Sequence, residues 1–216
     1  MNLTQELNTY KAKFKANQSE EIKSVMTQAT TDLINNRLAE KSISTGDKLP
    51  NFSLPNALGE EVTLKSLLSK SALVISFYRG GWCPYCNMEL RALQQALPEM
   101  EARGATLVAI SPETPDSSLS TKEKNELSFE VLSDRGNVLA RQLGLVFTLP
   151  ESLRPIYQNF GIDIPAHNGD TTFELPLPAT YVISADGTVV YSFASADYTQ
   201  RLEPLEIVKA LDKLGE

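Results

Sequence analysis

Leu3, Leu7, Tyr10 and Phe14 recur at spacings of three and four. After the polar break KANQSEE, the same spacing returns in Ile22, Val25, Met26, Ala29, Leu33, Ile34 and Leu38. That period puts apolar residues on one face of a helix. The pattern predicts two amphipathic helices, about 3–15 and 19–41, the second capped by Ser19 with Glu20 and Glu21 in its first turn. Residues 1–41 are therefore expected to be a helical extension that either packs on the rest of the chain or supports a homodimer.

Beyond it the pattern changes. STGDKLPNFSLPNALGEEVTL alternates apolar and polar residues between glycines and prolines, as an extended entry and a short hairpin do. LKSLLSK predicts one or two helical turns, and SALVISFYR a strand buried on both faces. A helix follows over NMELRALQQALPEMEARG, ended by Gly104, then a second buried strand, ATLVAIS. STKEKNEL is expected to be helical, and FEVLSD to lead into a helix at NVLARQLG. ATYVISADGTVVYSF predicts a hairpin turning at Asp186-Gly187, and PLEIVKALDKL a closing helix. Alternating strands and helices with a late hairpin imply an α/β sandwich with a central mixed sheet over 46–216. The proline-rich stretch 145–177 is expected to be a compact insertion or a lid.

Of 216 residues, 42% are hydrophobic and 22% charged, enough for one sizeable core. The net charge of −7 and pI near 4.9 supply no basic excess for phosphates, so neither nucleic acid nor an anionic membrane surface is the expected partner. No apolar run approaches the ~20 residues that span a bilayer, and the N-terminus lacks a secretory pattern. A cytoplasmic protein is the expectation. Thiols stay reduced there, so a close cysteine pair points to catalysis or metal rather than a structural disulfide.

Only two cysteines occur, in FYRGGWCPYCNMEL, as Cys83-Pro84-Tyr85-Cys86. A metal site would also need His167, which lies in a polar turn and reads as a surface residue, so no metal and no cofactor is expected. A pair placed after an apolar strand and at a helix start suits dithiol chemistry. The positive helix end and its unpaired N–H groups favour thiolate, drawing a cysteine from a pKa of ~8.5 into the ~3.5–7.5 range. Pro84 fits the first turn, where its missing N–H has no partner to lose. Trp82 and Tyr85 would exclude water and offer flat contact surface. Gly80 and Gly81 would let the chain turn sharply out of the strand.

From about Gly46 onward, over roughly four fifths of its length, the chain resembles the peroxiredoxin-like branch of the thioredoxin-fold superfamily, the alkyl hydroperoxide reductase/thiol-specific antioxidant group. The resemblance rests on GDKLPNFSLPNALGEEVTL, VISFYRGGWCPYC, VAISPE, LSDRGNVLARQLG and PATYVISADG. It implies a thioredoxin-like fold with Pro178 as a cis-proline facing the redox pair. In the family's register Arg79 falls on the motif's proline, Cys83 on its threonine and Cys86 on its peroxidatic cysteine, while Glu89 matches an acid often found three residues on. The family's arginine has no counterpart, because its position carries Pro178. Arg79, Arg135, Arg141 and Arg154 are the arginines available to substitute for it.

The implied function is a thiol-dependent peroxidase. It would reduce hydrogen peroxide or organic hydroperoxides through a Cys83/Cys86 dithiol–disulfide cycle, recycled by a thioredoxin-like or glutaredoxin-like reductant. Register selects Cys86 as the attacking sulfur with Cys83 resolving. Proximity to the helix N-terminus favours Cys83 as the more acidic thiol. A thiol–disulfide oxidoreductase is the alternative, since Cys-Pro-Tyr-Cys is typical of glutaredoxins. A redox-sensing binding module that uses the N-terminal helices as partner surface is a third reading.

Overall fold

The computed structural model describes residues 2–68 and 72–214. Helix α1 (Leu3–Ala16) opens on a capping box, in which Asn2 and Gln5 exchange side-chain-to-backbone hydrogen bonds. Helix α2 (Glu20–Asn35) starts at Ser19, whose hydroxyl accepts the Ile22 N–H at 3.3 Å. It does not run to residue 41. Arg37 takes a left-handed backbone (φ 52°), and Leu38–Lys41 form a separate 3₁₀ turn. That break lets Leu38 and Ala39 pack against the core on the far side of the central sheet, where an unbroken helix could not carry them.

Strands β1 (Ser53–Pro55) and β2 (Glu61–Thr63) form the expected hairpin, followed by the short α3 (Leu64–Leu68). Ser69 and Lys70, the end of the helical stretch read from LKSLLSK, and Ser71, the start of the predicted strand, lie outside the described residues. Next come β3 (Leu73–Phe77), α4 (Pro84–Glu101), β4 (Thr106–Ser111), α5 (Pro115–Lys124), β5 (Glu130–Ser133) and α6 (Val138–Gln142). The insertion contains β6 (Val146–Thr148), α7 (Arg154–Asn159), α8 (Ile164–Asn168) and β7 (Glu174–Pro176). The chain ends with β8 (Ala179–Ile183), β9 (Val189–Ala194) and α9 (Pro204–Asp212).

The central sheet has the order β5-β4-β3-β8-β9. β3, β4 and β5 run parallel, and β8 and β9 are antiparallel to their neighbours. Every residue of β3 is buried, as its unbroken apolar sequence requires of a strand covered on both faces. Alternate residues feed two cores. Val74 and Val182 pack with α4, α9 and Leu3 and Leu7 of α1, whereas Leu73, Ile75 and Tyr181 pack with α3 and α6. Lys11 of α1 is tied to Asp197 at 3.0 Å and to Thr199 at 2.8 Å. Ala29 of α2 packs with Leu149, Leu153 and Tyr157 of the insertion. β6 and β7 pair antiparallel and close the base of that insertion over the end of the sheet where β3 meets α4. No described helix is long and apolar enough to cross a membrane.

Candidate active site

Between β3 and α4 the chain turns through Gly80 and Gly81, and neither position has room for a side chain. Gly80 has a φ of +152°, and a Cβ there would lie 2.2 Å from Trp82 Nε1; at Gly81 it would lie 1.9 Å from Thr121 Oγ1. The turn is held on both sides. The Gly81 N–H donates to Glu113 Oε2 at 2.9 Å, and Asn87 Nδ2 donates to the Gly81 carbonyl at 2.8 Å. Glu113 is itself fully buried and faces His167 Nδ1 at 3.1 Å. His167 thus belongs to the support of this turn, a placement its polar surroundings in the sequence did not suggest. Cys83 then takes the N-cap position of α4, with Pro84 in the first turn.

Both cysteines are free thiols and both are buried, yet they differ in what they face. Cys83 lines a cavity of about 300 Å³ with Arg79, Trp82, Tyr85 and Tyr198. Tyr10, Phe14 and Met26 of the N-terminal helices and Tyr157, Phe160 and Ile162 of the insertion complete its walls. Cys86 is fully buried one turn further along α4, behind Cys83, and does not line it. Ring contacts stitch the roof together. Tyr10 meets Tyr85 edge-on at 5.2 Å, Tyr85 meets Tyr198 at 5.6 Å, and Phe14 meets Phe160 at 5.7 Å.

Two arginines flank the pair. Arg79 is buried among aromatic rings, its guanidinium carbon 4.9 Å from the Trp82 ring and 4.7 Å from the Tyr198 ring. It donates to the Tyr157 hydroxyl and keeps its Nε–H without an acceptor among the described residues. Arg201 donates from Nη2 to Cys86 Sγ at 3.1 Å and from Nε to the buried Glu89 carboxylate. Its Nη1 donates to the Tyr198 and Gln200 carbonyls, each at 2.7 Å.

These charges separate the two thiols. Burial alone would raise Cys83, but the hydrogen bond from Cys86 and the nearby Arg79 and Arg201 charges outweigh it and hold Cys83 at about 6. Cys86 is pushed well above the usual thiol range by burial, by donating to Cys83 and by the charge on Cys83. Burial raises Glu89 to about 7 despite Arg201. The directions of these shifts favour Cys83 as the sulfur that ionises first, with Cys86 as the thiol donating to it.

Several sequence expectations change here. Pro178 is not in a cis peptide bond, as no described residue is; it lies between β7 and β8 in a trans link. It borders a small space beside Arg79 and Tyr198 rather than the cavity onto which Cys83 opens. Arg79, Trp82 and Tyr85 all converge on Cys83. Of the other arginines weighed, Arg141 pairs with Glu174 and Arg154 stacks on Phe173 at 4.2 Å. The arginine that donates to Cys86 is Arg201, which sequence reading missed because nothing in YTQRLEP marks it as a site residue. The aromatic roof was also missed as a site, since Tyr10 and Phe14 read only as a helix face.

A free dithiol at a strand-to-helix junction of a central mixed sheet, clamped by arginines, defines a thiol-redox protein of thioredoxin-like architecture. Residues 45–192 match the model of the AhpC/TSA family, and the chain belongs to that family. Peroxiredoxin Bcp of Escherichia coli strain K12 is 31% identical over 103 residues, covering 48% of this chain and 65% of the relative. Peroxiredoxin Q, chloroplastic, of Oryza sativa subsp. japonica is 26% identical over 178 residues, covering 82% of this chain and 71% of the relative. The chain thus spans about two thirds of the length of these curated relatives. The crystal structure of Peroxidoxin BcpB from Mycobacterium tuberculosis superposes with a TM-score of 0.63 at 24% identity, covering 80% of this chain and 97% of that one. That likeness shows the fold.

Proposed function

We propose that the protein is a thiol-dependent peroxidase in which Cys83 attacks and Cys86 resolves. The observation that carries this is the division between the sulfurs: the cavity-facing one is the thiolate, and the buried one is the protonated donor behind it. The Cys83 thiolate attacks the terminal oxygen of a hydroperoxide. The O–O bond breaks, sulfur becomes a sulfenic acid, and the alcohol oxygen takes up the proton that Cys83 lost on ionising. Arg79 supplies positive charge and a spare N–H beside the reacting oxygens.

Oxidation removes the Cys83 charge, one of the influences holding Cys86 protonated. Arg201 then favours the Cys86 thiolate, which displaces water from the sulfenic acid and closes the disulfide. A dithiol reductant of thioredoxin or glutaredoxin type returns the pair to thiols. The cytoplasm, where such reductants are kept reduced, suits this cycle. The assignment reverses the register reading, in which Cys86 attacks. The support is steric and electrostatic: Cys86 has no open face, and its charged form is the disfavoured one.

The test is sulfenic-acid trapping with dimedone during peroxide treatment, beside peroxide consumption in a coupled thioredoxin assay. Cys86→Ser should be labelled at Cys83, and Cys83→Ser should show almost no label. Label confined to Cys86 in Cys83→Ser would restore the register assignment, and absence of any peroxide consumption would refute the peroxidase reading.

A further inference from the structure

The turn that carries Cys83 is held from two directions. Its carbonyl side is fixed by α4 and α5: Asn87 donates to the Gly81 carbonyl at 2.8 Å, and Asn125 Nδ2 donates to Asn87 Oδ1 at 2.9 Å. Its N–H side is fixed by Glu113, whose Oε2 accepts the Gly81 N–H at 2.9 Å and the Thr121 hydroxyl at 3.4 Å. Glu113 is fully buried, and no lysine or arginine among the described residues pairs with it. Its other oxygen, Oε1, gains a hydrogen bond from the described residues only when His167 Nδ1, 3.1 Å away, carries a proton. His167 comes from α8 of the insertion. Backbone bonds tie it beside Glu113: the Thr114 N–H donates to the His167 carbonyl at 2.9 Å, and Asp163 caps the start of α8 by accepting the Ala166 N–H at 3.0 Å. A buried carboxylate oxygen left without a donor is costly, so the neighbour able to donate decides whether the carboxylate stays in place.

We propose that His167 and Glu113 are positioning residues for Cys83: His167 Nδ1 donates to Glu113, the carboxylate holds the Gly81 N–H, and the turn so fixed presents Cys83 at the start of α4. The inference rests on the reading of Cys83 as the attacking sulfur and adds what sets its place. Neither residue acts on the sulfur directly. They act through the backbone of Gly81, two residues before Cys83, where the turn decides how closely the sulfur faces the positive end of the helix. Loosening the turn therefore costs Cys83 thiolate character. The contact also makes the thiol depend on the docking of the insertion, which meets the turn a second time where Arg79 donates to Tyr157. The donor matters by position: only a group at the place of Nδ1 reaches Glu113.

The test uses a Cys86→Ser background, where Cys83 is the one thiol and alkylation reads it without any peroxide. Iodoacetamide rates are measured at about pH 5, below the Cys83 midpoint of about 6, where the rate follows the thiolate fraction. His167→Asn places an amide N–H where Nδ1 stands, His167→Gln places it where Nε2 stands, and His167→Ala has none. The Ala and Gln variants should alkylate about three- to fivefold more slowly, the scale of a helix-end contribution, and Asn should recover most of the rate. Arg141→Ala breaks the Arg141–Glu174 pair on β7 and loosens the same insertion away from Glu113, so its rate should stay at the parent value. Urea unfolding ranks the stability of all four. Asn no better than Gln, or Arg141→Ala as slow as His167→Ala, would show that the rates follow stability instead of the donor's place, and overturns the positioning role. Peroxide consumption by the protein with both cysteines is measured alongside. Donor-dependent alkylation in a protein that consumes no peroxide keeps the positioning role and overturns the peroxidase reading. Peroxide consumption with alkylation indifferent to residue 167 overturns the positioning role alone.

Discussion

Replacing Arg79 with methionine should raise the Cys83 pKa, and the size of the effect follows from the site. Cys83 is held at about 6 by a thiol hydrogen bond and two buried guanidinium charges, against burial. An opposite charge within about 4–6 Å commonly shifts a titrating group by about 1–3 units. Removing Arg79 should thus move Cys83 to about 8. At pH 7 the thiolate fraction then drops from about nine tenths to about one tenth, and the alkylation rate falls about tenfold. Methionine keeps much of the volume between the Trp82 and Tyr198 rings, and no carboxylate among the described residues pairs with Arg79, so the fold should survive.

The measurement uses a Cys86→Ser background. A hydroxyl there still donates to Cys83 and leaves one thiol to titrate. Iodoacetamide rates and thiolate absorbance near 240 nm are followed from pH 4 to pH 10. The parent midpoint should lie near 6 and the Arg79→Met midpoint well above it. An unchanged midpoint would show that the helix N-terminus and the residue-86 donor suffice, and would remove Arg79 from the account of thiolate formation. A parent midpoint near the ordinary thiol value would refute the electrostatic argument altogether.

Arg201→Met should destabilise the protein by about 3–5 kcal/mol in urea unfolding, because it leaves Glu89 buried without its counter-charge; a loss below about 1 kcal/mol would mean that Glu89 is already neutral in the wild type. Glu89 is raised from 4.5 to about 7, so the folded state holds a proton that the unfolded state releases, and its contribution makes stability fall as pH rises from about 4.5 through 7. In a Cys83→Ser/Cys86→Ser background, where no thiol titrates, Glu89→Gln should flatten that fall, worth up to about 3 kcal/mol; an unchanged slope would place the titration elsewhere. Deleting residues 1–41 strips Leu3 and Leu7 from one core and Tyr10, Phe14 and Met26 from the roof, so Cys83 alkylation should accelerate and stability should drop. Light scattering of the same deletion tests the dimer, since a halved mass would assign the helices to an interface and an unchanged mass to packing alone.

Local pattern determined much of this molecule. The apolar run LVISF could only be a strand covered on both faces, the three-and-four spacing of Leu3, Leu7, Tyr10 and Phe14 could only be one helix face, and Asp186-Gly187 marked the late hairpin. Cys83 at an N-cap with Pro84 behind it was legible for the same reason: strand exits and helix starts depend on the next few residues. Tertiary structure alone decided what the two sulfurs experience. Arg201 reaches Cys86 across 115 positions of sequence and is buried with Glu89 only because the segment after β9 folds back onto α4. Arg79 and Trp82 sat in the motif, but the rest of the aromatic cage, Tyr157 of the insertion and Tyr198, has no spacing that links it to them. The register reading favoured Cys86 because position in a motif says nothing of which thiol opens on a cavity. That depends on walls contributed by α1, α2 and the 145–177 insertion, and on long-range charges whose effect grows as water is excluded.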